Sequence, residues 1–281
     1  MKTMMHLHDR CGELTSIMMA KQYSTSFSLG IRMLDKPLRF PISAIYGFTR
    51  AADEIVDTFH DYDKQALLGR FKKETYLAIQ EGISTNPVLH SFQRIVNRYN
   101  IERDVIEAFF TSMEMDLHKS TYTPEDYNTY IYGSAEVVGL MCLSVFVNGN
   151  KEMYNDLLYG AKMLGSAFQK VNFLRDIQDD AEDKGRVYFP GVSFDNFSEE
   201  DKEIIEQDIQ REFDESLEYI KRLPTSSRFG VFVAYNYYQR LFNKIKRTPA
   251  SQIAIQRIRI PNTRKFTMLG RLWLFNQLGA V

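Results

Sequence analysis

Two acidic clusters carry spacing that chemistry could use. In Asp53-Glu54-Ile55-Val56-Asp57 the aspartates stand at i and i+4, so on a helix both carboxylates share one face, about one turn apart. Tyr46 and Arg50 fall on the same face, at i−7 and i−3 from Asp53. In the second cluster Gln169, Asn172, Asp176 and Asp180 follow +3, +4, +4 spacing, flanked by Arg175 and Asp179. Stacked like charges destabilise a helix unless something cationic neutralises them. Placing 18 Asp at random in 281 positions gives roughly one i,i+4 Asp pair. The chain has four: 53/57, 57/61, 176/180 and 179/183. A solvated helix face explains either cluster alone; two clusters, each with an arginine close by, favour a ligand. Mg2+ takes hard oxygen ligands and is commonly held by one or two carboxylates plus substrate phosphate. Two such faces on opposing helices could hold several ions with a diphosphate bridging them. Arg50 and Arg175 could take the remaining phosphate charge, because guanidinium matches phosphate bidentately. Such a site makes diphosphate a good leaving group by neutralising the charge that develops as a C–O bond breaks.

Helices are required to present these faces, and the sequence supplies them. Prolines at 37, 41, 87, 124, 190, 224, 249 and 261 bound long proline-free stretches, as expected where Pro is excluded from helix interiors. Thr123-Pro124-Glu125-Asp126 places an N-cap hydroxyl before a Pro and acids in the first turn. Ser198-Glu199-Glu200-Asp201 resembles a capping box. A helix from about Pro41 to Phe59 buries Ile45, Phe48, Ala52, Ile55, Val56 and Phe59 opposite its acids. Phe168, Val171, Leu174 and Ile177 supply the buried stripe of the second face. The segment Ile253 to Ile260 is the single short strand candidate. With no repeat, linker or composition shift, the expectation is one all-α domain over 1–281, frayed over 1–20 and ending in a basic tail from 250.

Composition narrows the class further. Hydrophobic residues make up 44% and charged residues 25%, ordinary globular usage that argues against disorder. The net charge of −1 hides an asymmetry: after Glu218 there are twelve Lys and Arg and no acid, leaving 23 basic against 36 acidic residues in positions 1–218. Nucleic acid, anionic lipid or ligand phosphate, and packing of the tail on the acidic body are the three readings of that asymmetry. The longest apolar run, Val137–Val147, falls short of the about 20 residues a bilayer needs. The charged, His-containing N-terminus does not read as a signal peptide. Cys11 and Cys142 make no disulfide framework or metal motif. A cytoplasmic protein is expected.

The same residues resemble the two aspartate-rich motifs of the squalene and phytoene synthases. The likeness rests on Asp53–Asp57 and on Leu164-Gly165-Ser166-Ala167-Phe168-Gln169-Lys170-Val171-Asn172-Phe173-Leu174-Arg175-Asp176-Ile177-Gln178-Asp179-Asp180. Tyr23-Ser24-Thr25-Ser26-Phe27 resembles that family's N-terminal Ser-x-Ser-Phe segment, and Tyr130 to Gly139 its central Tyr-to-Val-Gly helix. Gly185-Arg186-Val187-Tyr188-Phe189-Pro190 is similar to its Arg-x-Tyr-x-Pro segment. Tyr238, Arg257 and Lys265 have the spacing of its late phosphate contacts. Two departures stand out: Tyr23 and Thr25 replace the usual His and basic residue, and Glu136 stands where Gly is usual.

The resemblance implies an isoprenoid-synthase-type helical bundle with a central cavity. It implies head-to-head joining of two prenyl diphosphates through a cyclopropyl diphosphate. Geranylgeranyl diphosphate would give phytoene, the first choice, in carotenoid biosynthesis; farnesyl diphosphate would give dehydrosqualene, or squalene where NADPH delivers hydride. By match, two or three Mg2+ ions would be held by Asp53, Asp57, Asn172, Asp176 and Asp180. Substrate contacts would come from Tyr23, Ser24, Thr25, Ser26, Tyr46, Arg50, Gln169, Arg175, Tyr238, Arg257 and Lys265. Peripheral contact with anionic lipid fits a water-insoluble product. No nucleic-acid motif accompanies Arg257, Arg259 and Arg264. Phe27, Phe48, Phe168 and Phe173 are candidates for a dry aromatic wall; core packing is the alternative for each. Gly139 and Gly165, costly inside helices, call for close approach of a helix or ligand. A reading from a different class is a non-catalytic helical scaffold, which would have no need of the aspartates.

Overall fold

Helix boundaries follow the prolines and caps with one informative exception. The computed structural model describes residues 2–182, 185–192, 197–253, 255, 257–261, 267–270 and 272. Its helices are α1 (Lys2–Tyr23), α2 (Thr25–Met33), α3 (Lys36–Asp57), α4 (Lys64–Glu81), α5 (Pro87–Tyr99), α6 (Arg103–His118), α7 (Pro124–Ile131), α8 (Val137–Phe146), α9 (Lys151–Glu182), α10 (Glu199–Arg222), α11 (Thr225–Lys246) and α12 (Ala250–Ile253). A π-helical turn, Tyr132–Glu136, joins α7 to α8. Both expected N-caps form, and each is a capping box: Ser198 with Asp201, as its sequence suggests, and Thr123 with Asp126. The exception is Pro41, which lies inside α3 rather than at its start. Its missing N–H deprives only the carbonyl of Pro37, an exposed residue of the first turn where water can bond it.

Among the described residues there is no strand; Thr121 and Val187 form one isolated parallel bridge. Residues of 253–260 that are described belong to α12 or to non-regular chain. α1, whose first twenty residues read as a fraying end, packs along α3 and α5: Ser16 is fully buried and a Cβ on Gly12 would meet Ser91 Oγ at 2.7 Å.

One apolar cluster gathers α1 to α6 and α8, and a second gathers α7 to α12; Phe146, Tyr154 and Ala161 pack against both. α9 is the axis of this arrangement, with 32 residues and a length of about 48 Å at 1.5 Å per residue. Buried Lys170 ties α9 to α10, donating to Glu212 at 2.6 Å and to Asp208, while Ser166 Oγ donates to Glu212 at 2.8 Å. Gly139 and Gly165 let α9 pack closely on α8 and the π-turn: added Cβ atoms would lie 2.6 Å from the carbonyl oxygens of Ala161 and Ala135. The continuous stretch Pro124–Phe146 is long and apolar enough to cross a membrane, yet 61% of its apolar window is buried inside the protein. That burial makes it a core element of the bundle.

Candidate active site

α3 and α9 face each other across an apolar cavity of about 310 Å³. Its polar end is built by Tyr46, Thr49 and Asp53 from α3 and by Gln169 and Asn172 from α9. The side-chain period of 3.6 explains the set: 42, 45, 46, 49 and 53 fall on the cavity side of α3, while 48, 52 and 56 turn to the core. Leu164, Gly165 and Phe168 continue the α9 wall, and Leu157, Tyr219 and Leu223 close the far end. Burial pushes the Tyr46 phenol up to about 12, against the pull of the Arg50 cation, so it remains a neutral donor at physiological pH. Burial alone raises the Cys142 thiol to about 12, which leaves no thiolate in the cavity wall. Ser134, set on the π-turn, has a buried hydroxyl oxygen on this wall without a hydrogen-bond partner.

Arginines neutralise the acidic faces, each in its own way. Arg186 Nη1 donates to Asp57 Oδ1 at 2.8 Å and its Nη2 to the Asp116 carbonyl at 2.9 Å. Asp176 is bonded by Arg175 (Nε to Oδ1, 2.8 Å) and by Arg257 (Nε to Oδ1, 2.8 Å). Arg257 Nη1 also reaches Asp179 Oδ2 at 3.2 Å. Arg50 bonds Glu54 one turn on, and its guanidinium carbon sits 4.5 Å from the Tyr23 ring centroid. The Arg50 Nε is buried without a partner.

Tyr238 OH donates to Asn172 Oδ1 at 3.3 Å and its ring stacks on Phe168 with centroids 3.9 Å apart. Asn172 in turn donates to Gln169 Oε1 at 3.4 Å. Ser24 caps α2, accepting from Phe27 N at 3.1 Å, and its hydroxyl also bonds Tyr46. That brings the 23–26 segment to the α3 face; Tyr23 and Thr25 remain exposed. Asp180 is buried on the Tyr188 side of α9, and its carbonyl accepts from Arg186 N at 2.8 Å. Lys265 and Asp183 lie outside the described residues.

Of the four aromatic candidates, Phe27 and Phe168 line the cavity and two do not. Phe48 stacks on Phe92 in the core with centroids 3.7 Å apart, because two residues beyond Tyr46 the helix has turned it away. Phe173 stacks on Tyr188 at 4.1 Å for the same reason, one residue past Asn172. Glu136 does not enter the cavity; it pairs with Lys162 at 3.7 Å.

Sequence reasoning missed a buried network behind Asp57. Asp116, 8% exposed, accepts from Tyr122 OH at 3.0 Å, Tyr130 OH at 2.8 Å and Tyr188 OH at 3.3 Å. Arg186 Nη1 lies 3.7 Å from its Oδ1. The signal available was the Arg186-Val187-Tyr188 segment, which carried the resemblance without an assigned role; Asp116 itself had none.

The donor set of Asp53, Asp57, Asn172, Asp176 and Asp180 is carboxylate and amide oxygen throughout, the hard chemistry that suits Mg2+. Among the described residues no three His, Cys, Asp or Glu side chains converge into a cage. Open, carboxylate-poor coordination completed by phosphate oxygens is the form Mg2+ commonly takes, so these residues fit such an ion together with a diphosphate.

A family described as squalene/phytoene synthase matches residues 20–264. Chloroplastic phytoene synthase 1 of Solanum lycopersicum is 27% identical over 258 residues, which cover 85% of this chain and 61% of that protein. The chain thus spans less than two thirds of the tomato protein's length. The phytoene synthase of Arthrospira platensis is 26% identical over 287 residues, covering 93% of this chain and 91% of that protein. In structure, a ligand-bound dehydrosqualene synthase superposes with a TM-score of 0.82 at 22% identity, covering 96% of this chain and 98% of that one. A squalene synthase from Alicyclobacillus acidocaldarius gives 0.75 at 21%, covering 86% and 95%. Both are likenesses of fold: an all-α bundle of the isoprenoid-synthase kind.

Proposed function

The chain belongs to the squalene/phytoene synthase family, and on that premise we propose that it joins two geranylgeranyl diphosphates head to head, through a cyclopropyl diphosphate, to phytoene with release of diphosphate. The observation that carries this reading is the apolar cavity with Asp53 of α3 and Asn172 of α9 at one end. From Asn172 to Leu157 its α9 wall spans fifteen residues, about 22 Å of helix.

The residues divide the work by chemistry. Asp53, Asp57, Asn172, Asp176 and Asp180 would hold Mg2+, which supplies charge neutralisation as diphosphate departs. Arg50, Arg175, Arg257 and Lys265 would bind phosphate oxygens, and Tyr46, Tyr238, Gln169 and the 23–26 segment would orient them. The neutral Tyr46 phenol donates without adding charge. Phe27 and Phe168 face the cavity, where aromatic faces stabilise an allylic cation and offer no nucleophile. The cation is attacked by the acceptor's double bond and loss of a proton closes the cyclopropane; that product loses its own diphosphate, rearranges and loses a second proton. Glycines 139 and 165 close α9 tightly against α8 and the π-turn along one side of the cavity.

The test is product analysis. Purified protein is incubated with Mg2+ and either fifteen- or twenty-carbon diphosphate, with and without NADPH, and hydrocarbons are separated by chromatography. Phytoene from the twenty-carbon substrate, unaffected by NADPH, is expected. Turnover of farnesyl diphosphate alone would move the reading to dehydrosqualene or squalene synthesis. No turnover of either would leave the non-catalytic scaffold. Flotation with anionic vesicles tests the accompanying proposal that the acid-free tail holds the protein at a membrane surface, where an insoluble product can leave.

A further inference from the structure

At the end of the cavity remote from Asp53, α9 and α10 meet at a glycine. A Cβ on Gly160 would collide with Cβ and Cγ of Tyr219, so the absent side chain is what seats the tyrosine. Both residues line the cavity, with Leu157, Ile220 and Leu223 around them. The Tyr219 ring is only half-buried: the Arg222 guanidinium carbon lies 5.6 Å from its centroid and the Tyr159 ring 5.8 Å away. The ring therefore stands between the apolar space on one side and these surface groups on the other.

The axial distances can be compared with the tails. From Asn172 to Gly160 is twelve residues of α9, about 18 Å, and to Leu157 about 22 Å. An extended chain advances about 1.2 Å per bond, so an isoprene unit of four chain bonds adds about 5 Å. Tails of fifteen, twenty and twenty-five carbons therefore reach about 14, 19 and 24 Å. A twenty-carbon tail with its diphosphate at the Asn172 level ends against Tyr219. A fifteen-carbon tail stops one unit short, and a twenty-five-carbon tail overshoots.

We propose that Tyr219, seated on Gly160, is the stop that sets the longest prenyl chain this cavity accepts. The proposal rests on the prenyl-diphosphate reading above and adds the residue that fixes the upper length. The ring does the stopping; its hydroxyl has no part in it.

The experiment compares kcat/KM for fifteen-, twenty- and twenty-five-carbon diphosphates in the wild type, Tyr219→Ala and Tyr219→Phe. Tyr219→Ala should raise the ratio for twenty-five over twenty carbons by about tenfold or more, since even single methylenes discriminate at that scale. Tyr219→Phe should keep the wild-type ratio. An unchanged ratio in a helical, active Tyr219→Ala overturns the stop. Should the alanine variant not fold, Tyr219→Leu, which fills the seat but shortens the plug, is judged by the same ratio. If the wild type accepts fifteen carbons but not twenty, the phytoene reading falls. The stop is then judged by whether Tyr219→Ala extends acceptance to twenty. If no diphosphate turns over, the melting-temperature shift each one induces supplies the same ratio, and equal shifts in wild type and Tyr219→Ala reject the stop.

Discussion

Asp57 and Asp176 are both neutralised by arginine, but one partner is buried and the other stands at the surface. The partner of Asp57 is Arg186, buried and braced by Asp116, which three tyrosine hydroxyls also bond. The partners of Asp176 are its neighbour Arg175 and Arg257, which is 40% exposed and also touches the part-exposed Asp179. Burial makes the first arrangement strong and expensive to disturb, because an uncompensated buried charge costs several kcal/mol. Solvent screens Arg257, so its ion pairs contribute little to stability. The α3 face is therefore built into the fold, whereas on the α9 face Arg257 can exchange one anion for another without loosening the bundle.

The largest expected effect comes from removing one carboxylate from either face. Asp53→Ala and Asp176→Ala should each lower turnover by about 1,000-fold or more, while far-UV circular dichroism stays helical. Retained turnover in either variant would remove that carboxylate from the chemistry. Next comes the buried side alone. Asp116→Ala strands the Arg186 guanidinium and three phenols, and should cost about 3 kcal/mol or more in urea unfolding. Its activity should fall with stability, since Arg186 is what orients Asp57.

Arg257→Ala tests the exposed side and should separate the two quantities. Its unfolding free energy should stay within about 1 kcal/mol of wild type. Its kcat/KM should drop about 10- to 100-fold, the size of one charge-assisted hydrogen bond to phosphate. The loss should shrink as ionic strength rises, because salt already weakens this contact in the wild type. A variant that loses stability in step with activity would place Arg257 with Arg186, as part of the scaffold, and erase the contrast.

What was legible in the sequence follows the same division. The two acidic faces, the capping boxes at Thr123 and Ser198, and the all-helical bundle are local in sequence, and periodicity and cap chemistry specify them. The close helix approach at Gly139 and Gly165 was legible because mid-helix glycine needs a reason. The buried network was not: Asp116, Tyr130 and Arg186 are far apart along the chain, and nothing in spacing alone pairs Asp57 with a residue 129 positions away. Phe48 and Phe173 sit a step or two along their helices from cavity positions, which at 100° per residue is enough to exchange cavity for core. Pro41 misled because a proline one turn inside a helix costs little when the carbonyl it deprives is exposed.

The smallest expected effect sets two acids ten positions apart against each other. Asp126 is part-exposed, and the hydrogen bond from Lys119, with those from Thr123, holds its carboxyl below the usual carboxylate range. An acid lowered by folding stabilises above its unfolded pKa, and that contribution is lost as pH falls through the lower, folded value. Asp116 is shifted the other way, its carboxyl raised by burial despite Arg186 and the tyrosines. A raised carboxyl favours the folded state at low pH, and its contribution fades as pH rises from the ordinary range through the raised value. Relative to wild type, Asp126→Asn should therefore lose most stability near neutrality and little below about pH 3. The gap between wild type and Asp116→Asn should have the opposite pH slope, shifting against the wild type as pH rises. Melting temperatures from about pH 2.5 to 7 measure both gaps. Parallel slopes would mean that Asp116, for all its burial, titrates like the surface cap, and that its network is held by hydrogen bonds to an ordinary carboxylate.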